Sequence, residues 1–351
     1  MSRFQIHDDL TAPEGSVLKP PPGVYSGPVL INKRLTLDGA GQVTVDGGGK
    51  GTVLVWETND GALHNIHLTG SGDSHDSDDT CLNLRGSRNV IEGVRIDDCL
   101  FGIDLKQSND NTLRENSIRS KVKELGVRGD GLRLWYSNGN LIEKNEVIDS
   151  RDMVAWYSHH NIFRGNIGKR SRYSIHFMFA KDNLVEGNSF TDNAVGVYLM
   201  YTERIHVRNN IISHATGAAG MALGFKESSD SDVENNEIIY CAVGVGSDLS
   251  PFEPDTTLRF KGNRFAFNGI AVRFTSELGG NILTDNQIGP DLKNQPIYAG
   301  GALVQDHGIA IIGASGNTIG TSRHGNTINW NLETGVYISR RDENKVIYST
   351  P

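Results

Sequence analysis

Asn161-Ile162-Phe163-Arg164-Gly165-Asn166 and Asn183-Leu184-Val185-Glu186-Gly187-Asn188 are two copies of one motif, and this motif decides the fold of the chain. Further Asn-x-x-x-x-Asn pairs occur at Asn111/Asn116, Asn140/Asn145 and Asn281/Asn286, and related asparagines at Asn210, Asn236 and Asn263. The second asparagine advances from 145 to 166, 188 and 210, which are steps of 21, 22 and 22 residues. A regular period of this length indicates a repeat protein whose units pack only on their neighbours.

Short runs of alternating residues lie between the asparagines, as in Val195-Gly196-Val197-Tyr198-Leu199. Such runs predict short strands with one inward face, and three strands with three turns account for one coil. Asparagine suits the turns because it tolerates a left-handed backbone and can pair with the asparagine one coil away. A leucine-rich repeat has a similar period, but its Leu-x-x-Leu-x-Leu frame is missing. We therefore predict an all-β, single-stranded, right-handed parallel β-helix with about 22 residues per coil.

The same period sets the expected domain organisation. We expect one β-helix domain over residues 1–351, with an N-terminal cap and first coils in 1–45 and divergent C-terminal coils or a cap in 287–351. The longer steps of the period contain insertions, at about 121–128, 216–220 and 248–255. A solenoid places insertions in loops, and loops carry function more often than strands do.

Charge and composition exclude several classes of function. The net charge of −8 argues against nucleic acid as a partner, since phosphate binding needs a basic surface. No run of eighteen apolar residues is present, so we do not expect a membrane-spanning chain. Cys81, Cys99 and Cys241 lack the spacing of a zinc site, and we expect free, mostly buried thiols. The first residues lack the apolar stretch of a secretory signal, which leaves a cytoplasmic location open.

Four consecutive coils align at residues 132–137, 153–158, 175–180 and 197–202. Side chains of a strand alternate between its faces, and two of the aligned positions are apolar in every coil. These positions are predicted to point inward: Leu132, Met153, Ile175 and Val197, and Leu134, Ala155, Phe177 and Leu199. The alternate positions are predicted to form an exposed outer stripe: Arg133, Trp135, Val154, Trp156, His176, Met178, Tyr198 and Met200. Equivalent residues lie about 4.8 Å apart in parallel strands, and an exposed patch of this kind usually marks a binding site.

The outer stripe fits two kinds of ligand. Met178 and Met200, one coil apart with His176 beside them, offer soft ligands that suit Cu(I). Candidate supplementary ligands lie in the turn after the second tryptophan: His159 and His160. The aromatic side chains would suit a sugar instead, but thioethers contribute little to sugar binding, so we favour copper. In a third interpretation, the insertion at 121–128 covers the stripe and makes it part of the core.

An acidic cluster offers a different chemistry. It lies in a turn-like stretch and comprises Asp73, His75, Asp76, Asp78 and Asp79. We interpret it as either a solvated loop or a Ca²⁺ site. Polysaccharide lyases, hydrolases and epimerases with this fold need paired carboxylates or a general base, and Asp104 and Lys106 alternate on one strand. Motifs typical of polygalacturonases and alginate epimerases are missing. A carbohydrate-binding protein or polysaccharide enzyme therefore stays an alternative, as does a structural or interaction solenoid.

Several segments resemble the NosD family, the periplasmic β-helix proteins of nitrous oxide reductase copper maturation. They are residues 97–103, 131–137, 172–179, 195–201 and 224–227, and the resemblance covers roughly residues 20–275. It implies an exported protein without enzymatic activity. The implied partners are an ABC-type ATPase and permease and a copper donor or recipient protein, with delivery of copper to an apo-enzyme. Capped β-helices are usually monomers, and we expect a monomer apart from these partners. The missing signal and the divergent tail from Gln287 onward depart from the family pattern.

Overall fold

Short parallel strands stacked coil upon coil form the protein in the computed structural model, which describes residues 12–275, 278–299, 302–303, 305–339 and 345–346. The chain divides into unit 1, residues 1–172, and unit 2, residues 173–351. The predicted all-β, right-handed parallel β-helix is confirmed, with about 23 residues per turn. One domain over 1–351 stays a prediction, and the outer ends of both predicted caps lie outside the described residues.

Unit 1 is a stack of parallel strands. In chain order they are β1 (Val17–Leu18), β2 (Gly23–Ser26), β3 (Val29–Ile31), β4 (Thr36–Asp46), β5 (Leu54–Trp56), β6 (Ala62–Thr69), β7 (Thr80–Leu84), β8 (Val90–Glu92), β9 (Arg95–Cys99), β10 (Phe101–Lys106), β11 (Thr112–Arg114), β12 (Ser117–Ser120), β13 (Leu132–Trp135), β14 (Leu141–Glu143), β15 (Glu146–Ile148), β16 (Asp152–Trp156), β17 (Ile162–Arg164) and β18 (Ile167–Lys169). Strands β3, β5, β7, β10, β13 and β16 pair in this order. The insertion at 121–128 lies between β12 and β13 and contains a 3₁₀ helix at Leu125–Val127.

Unit 2 repeats this arrangement. Its strands are β19 (Tyr173–Met178), β20 (Leu184–Glu186), β21 (Ser189–Thr191), β22 (Val195–Met200), β23 (His206–Arg208), β24 (Ile211–Ser213), β25 (Met221–Lys226), β26 (Ser231–Glu234), β27 (Glu237–Ile239), β28 (Val243–Asp248), β29 (Leu258–Lys261), β30 (Arg264–Ala266), β31 (Ile270–Phe274), β32 (Asn281–Thr284), β33 (Gln287–Ile288), β34 (Tyr298–Ala299), β35 (Ala302–Leu303), β36 (His307–Ile312), β37 (Thr318–Ile319), β38 (Thr327–Ile328), β39 (Thr334–Ser339) and β40 (Lys345–Val346). Strands β19, β22, β25, β28, β31, β36 and β39 pair in this order, whereas β34 and β35 form an antiparallel hairpin. In the described ranges of both units, no helix has the length and apolar character needed to cross a membrane.

The inward face of the aligned strands is confirmed. In unit 1, Leu132, Leu134, Met153 and Ala155 are at most 1% exposed. The equivalent residues of unit 2 are 0% exposed: Ile175, Phe177, Val197 and Leu199. Since strand side chains alternate, the intervening residues on these strands must lie on the outer face of the coil.

Buried asparagines form ladders that tie successive coils together in both units. In unit 1 the Nδ2 of Asn140 donates a hydrogen bond to Oδ1 of Asn161 at 3.1 Å, and its backbone N–H donates to the same oxygen at 2.9 Å. In unit 2 a second ladder runs through Asn188, Asn210, Asn236, Asn263, Asn286 and Asn326. The predicted pairing is confirmed, but the left-handed backbone falls on the residue before the ladder asparagine, as at Gly139 and Lys144. The asparagine itself faces inward, so its neighbour makes the turn.

The expectation that all three cysteines are free thiols is wrong for two of them. Cys81 on β7 and Cys99 on β9 form a disulfide with a Cα–Cα distance of 5.6 Å, whereas Cys241 is a buried free thiol. Their separation of 18 residues is slightly less than one coil. The chain therefore returns close to Cys81 when it reaches Cys99, which is a juxtaposition that sequence spacing alone did not reveal.

Candidate functional site

The outer face of unit 1 carries a cavity of about 220 Å³, lined by Asp78, Lys106, Arg133, Trp135 and Trp156. We call this cavity the tryptophan groove. Pairing of β10, β13 and β16 places Lys106 opposite Trp135, and Trp135 opposite Trp156. Both tryptophans are half-buried. The groove therefore brings predicted stripe residues together with one member of the acidic cluster.

Charged side chains form a network along one edge of the tryptophan groove. Nε of Arg133 donates to Oδ1 of Asp104 at 2.7 Å, and its Nη2 lies 2.9 Å from Oδ1 of Asp78. Nζ of Lys106 donates to Oδ2 of Asp78 at 2.8 Å. Burial alone would raise the pKa of Asp78, but the pairs with Lys106 and Arg133 outweigh it and lower that pKa below its ordinary value. Asp78 is thus held as a carboxylate between two cations.

Some stripe residues are buried, so their predicted exposure is wrong. Arg133 is 9% exposed and Val154 is 2% exposed in unit 1, and His176 is 5% exposed in unit 2. Asp78 contacts Arg133 from the loop before β7. Outward direction on a strand does not guarantee contact with solvent, because loops and larger neighbours can cover a strand position.

Aromatic side chains continue from the tryptophan groove towards its rim. The rings of Trp135 and Trp156 meet edge to face at 5.3 Å between centroids, and Trp135 also meets Tyr136 and Tyr157 edge to face. Tyr136 and Tyr157 stack face to face at 4.8 Å. Nε1 of Trp156 is buried and has no hydrogen-bond partner among the described residues.

The acidic cluster is a loop held by its neighbours. Asp73 pairs with Lys123, and His75 approaches the backbone oxygen of Val127 at 3.2 Å, so the loop contacts the insertion at 121–128. Asp79 accepts hydrogen bonds from the backbone N–H of Ser74 and from the hydroxyl of Ser77, and Asp76 is exposed. In the described part of the chain, no three His, Cys, Asp or Glu side chains are grouped to hold a metal ion. The Ca²⁺ site considered for this loop stays a prediction.

The methionines of the stripe are neighbours in unit 2. Pairing of β19 with β22 places Met178 opposite Met200 and His176 opposite Tyr198. Pairing of β22 with β25 then places Lys226 beside Met200. Met178 and Met200 are half-buried. Two thioethers thus share one outer row with a charged residue.

Aromatic rings surround the imidazole of His176. The ring of Tyr173 lies 4.9 Å from that of His176 and stacks on Tyr198 at 5.2 Å, while Tyr198 lies 5.8 Å from His176. Burial raises the pKa of Tyr198, and the electrostatic interaction with Tyr173 raises it further, so the phenol of Tyr198 stays neutral. These rings explain why His176 is buried although it faces outward.

A third methionine, Met221, was missed by the sequence alignment of coils. A Cβ atom added to Gly224 would lie 2.8 Å from Sδ of Met221 and 2.4 Å from the ring of Tyr198. Met221 and Tyr198 also line one cavity of about 330 Å³, together with Arg273. Met221 starts β25, where the simple alternation used for the prediction does not apply. Gly224, which lies opposite Tyr198, could have indicated that the large side chain of Met221 occupies the space beside it.

The two histidines proposed as supplementary ligands lie in a turn of unit 1. His159 and His160 occupy the turn between β16 and β17 of unit 1, and their ring centroids are 6.5 Å apart. The backbone N–H of His159 donates to Oδ1 of Asn138 at 2.7 Å, which fixes the turn. His160 is exposed and has a left-handed backbone. Both positions fit structural turn residues, and their predicted role as ligands stays a prediction.

Comparison with solved structures shows the fold. The A-module of the mannuronan C-5 epimerase AlgE6 of Azotobacter vinelandii is 14% identical, with 96% of this chain and 94% of that chain covered and a TM-score of 0.50. A PL6 alginate lyase in complex with a trisaccharide is 15% identical, with 85% and 90% covered and a TM-score of 0.59. PfbA, a surface adhesin of Streptococcus pneumoniae, is 10% identical, with 94% and 87% covered and a TM-score of 0.58. A search of curated proteins found no match.

Comparison with family models is more specific. Residues 51–170 match the model of the right-handed β-helix region. Residues 115–295, which are more than half of the chain, match the NosD model, described as periplasmic copper-binding protein. The chain therefore belongs to the NosD family.

Proposed function

We propose that the protein handles copper as cargo and binds Cu(I) through the outer methionines of unit 2. The observation that carries this proposal is the register of Met178 opposite Met200, with His176 two residues before Met178 on the same strand. The description of its family as copper-binding supports the same cargo.

The side chains of this face suit Cu(I) rather than a harder metal ion. Thioethers are soft, neutral ligands that select Cu(I), and imidazole binds copper as well. Three of the five methionines of the chain lie here: Met178, Met200 and Met221. Half-buried thioethers remain accessible enough to receive and release an ion. The face therefore supports transfer of cargo better than permanent storage.

The site would be completed by small rearrangements of flexible side chains. Met178 and Met200 are adjacent across the strand pair, and parallel strands are about 4.8 Å apart. Met221 has three rotatable bonds, and its sulfur already lies beside Gly224 in the row of Tyr198. We propose Met178 and Met200 as the primary ligands, with His176 and Met221 as additional ligands.

The cellular role follows from the family and is also a proposal. We propose that the protein is periplasmic and works with an ABC-type ATPase and permease. It would receive copper from a donor and pass it to an apo-enzyme such as nitrous oxide reductase. The Cys81–Cys99 disulfide supports export, because disulfides are typical of oxidising compartments.

A polysaccharide-cleaving function has weaker support. Asp78 lines the tryptophan groove, and both Asp78 and Asp104 pair with Arg133. A general acid needs a raised pKa, whereas the pKa of Asp78 is lowered. Asp78 is therefore poorly suited to act as a general acid, and we propose, from the family alone, a protein without enzymatic activity.

An anaerobic competition titration tests the copper proposal, with Cu(I) supplied from a chromophoric chelator to the full chain. We expect one Cu(I) ion per chain and a loss of affinity of about tenfold or more, equal to at least 1.4 kcal/mol, in the double variant Met178→Leu/Met200→Leu. Leucine keeps the volume and removes the sulfur. The matched control is Met153→Leu, which removes a thioether from the core of unit 1. Equal affinity in the wild type and the double variant, or no binding to either, would overturn the proposal.

A further inference from the structure

We infer that the tryptophan groove of unit 1 binds one ring of a neutral glycan. This site is independent of the copper proposal, which depends on residues of unit 2. A sugar ring presents apolar C–H faces and a rim of hydroxyl groups. The groove offers a matching combination, because Trp135 and Trp156 form an apolar wall and three charged side chains form a polar edge: Asp78, Lys106 and Arg133.

The rings of the apolar wall pack against one another. Trp135 and Trp156 hold each other edge to face at 5.3 Å, and the stacked pair Tyr136 and Tyr157 supports Trp135 from the rim. Aromatic side chains with few rotatable bonds provide large contact areas at a low cost in conformational entropy. A wall that is already ordered before binding loses little freedom when a ring packs on it.

The polar edge favours a neutral ligand over an acidic one. Lys106 and Arg133 contribute two positive charges, and Asp78 and Asp104 balance them with two negative charges. An anionic sugar would compete with carboxylates that already occupy both cations. A hydroxyl group can accept a hydrogen bond from a cation and donate one to a carboxylate at the same time. It can therefore join the network of ion pairs without breaking any of them.

One buried donor on a groove residue lacks an acceptor among the described residues. It is Nε1 of Trp156. A buried donor without a partner destabilises the state that leaves it unpaired. Hydroxyl oxygens of a bound sugar would provide acceptors of the required kind.

The size of the groove limits the ligand. Its volume of about 220 Å³ is below the roughly 300–1,000 Å³ of pockets for drug-sized ligands. One ring can therefore lie in the groove, while neighbouring rings of a chain would extend over the stacked tyrosines Tyr136 and Tyr157.

Titration of the full chain with defined oligosaccharides tests the inference. The neutral probes are gluco-, manno- and xylo-oligosaccharides, and the acidic probes are oligomannuronate and oligogalacturonate, with binding followed by calorimetry. We expect saturable binding of at least one neutral probe, and weaker binding of every acidic probe. Trp156→Ala and Lys106→Met should each weaken binding by about tenfold, equal to about 1.4 kcal/mol. The matched control is Trp330→Ala, because Trp330 is an exposed tryptophan of unit 2.

The outcomes separate cleanly. Lys106→Met keeps the aromatic wall, so loss of binding in this variant with an unchanged unfolding midpoint supports the site even if Trp156→Ala proves unstable. No binding of any neutral probe at millimolar concentration would overturn the inference. Tighter binding of an acidic probe, or loss of binding in Trp330→Ala, would also overturn it. None of these results depends on copper.

Discussion

Met178 lies directly opposite Met200 in the pairing of β19 with β22, while the residues beside them, Phe177 and Leu199, are fully buried on the opposite face of the same strands. One strand pair thus presents two chemistries, with apolar packing inside the coil and two thioethers outside it. Because the two faces alternate residue by residue, changes at neighbouring positions should have very different consequences.

Stability should separate the two faces. Phe177→Ala removes a buried ring and should lower the free energy of unfolding by about 3–5 kcal/mol. Met178→Ala removes a half-buried side chain from the outer face and should cost about 1 kcal/mol or less. Urea denaturation of the two variants checks this contrast. A cost for Met178→Ala as large as that for Phe177→Ala would show that the methionine belongs to the core and would end its role as a copper ligand.

The asparagine ladder should be sensitive to a single substitution. Nδ2 of Asn210 donates to Oδ1 of Asn236 and to the backbone oxygen of Val185, and Oδ1 of Asn210 accepts from Asn188. Asn210→Ala leaves buried polar groups without partners, at about 1–3 kcal/mol for each. We expect a large fall in the unfolding midpoint in urea. His206→Ala, an exposed change on the strand just before Asn210, is the control and should leave the midpoint nearly unchanged.

The sequence revealed the fold because its signal repeats through most of the chain. Successive coils from Asn116 to Asn286 place an asparagine at an equivalent turn, so an error at one position does not change the period. The inward positions could be predicted for the same reason, since strands alternate strictly and apolar residues recur at Leu132, Met153, Ile175 and Val197. The residue that adopts the left-handed backbone could not be predicted, because a turn of this length allows either the asparagine or its neighbour to adopt that conformation.

The candidate sites were less predictable because they depend on loops and on irregular strand ends. Asp78 contributes to the burial of Arg133 and reaches it from a loop over fifty residues earlier in the chain. Met221 lies at the start of β25, outside the regular alternation. The disulfide between Cys81 and Cys99 depends on a return of the chain within one coil. None of these juxtapositions has a fixed spacing that a sequence pattern could reveal.

Thiol counting should distinguish the disulfide from three free cysteines. Burial raises the pKa of the Cys241 thiol to about 11, so this thiol should react slowly until the protein is unfolded. We expect one reactive thiol per chain after unfolding without reductant, and three after reduction. Reduction should also lower the unfolding temperature, since a cross-link over a loop of this size contributes about 3 kcal/mol. Three thiols before reduction would contradict the pairing.

Acid should release the loop that covers Arg133. Burial alone would raise the pKa of Asp78. The pairs with Lys106 and Arg133 lower this pKa by more than burial raises it, so the pKa lies below its ordinary value of 3.8. A carboxyl with a lower pKa in the folded state stabilises that state above its unfolded pKa, and the contribution is lost as the pH falls through the lowered value. Protonation of Asp78 below pH 3.8 should therefore weaken both pairs and free the loop from the tryptophan groove.

The fluorescence of Trp135 and Trp156 should report this release. Both tryptophans line the groove that Asp78 also lines, so their emission should change in an acid titration below pH 3.8, while the strands remain folded by circular dichroism. The titration is made in the Trp330→Phe background, which removes the exposed tryptophan of unit 2. Asp78→Asn cannot protonate in this range and should abolish the fluorescence step. A step of equal size and midpoint in Asp78→Asn would assign the acid transition to another carboxyl and show that Asp78 does not hold the loop.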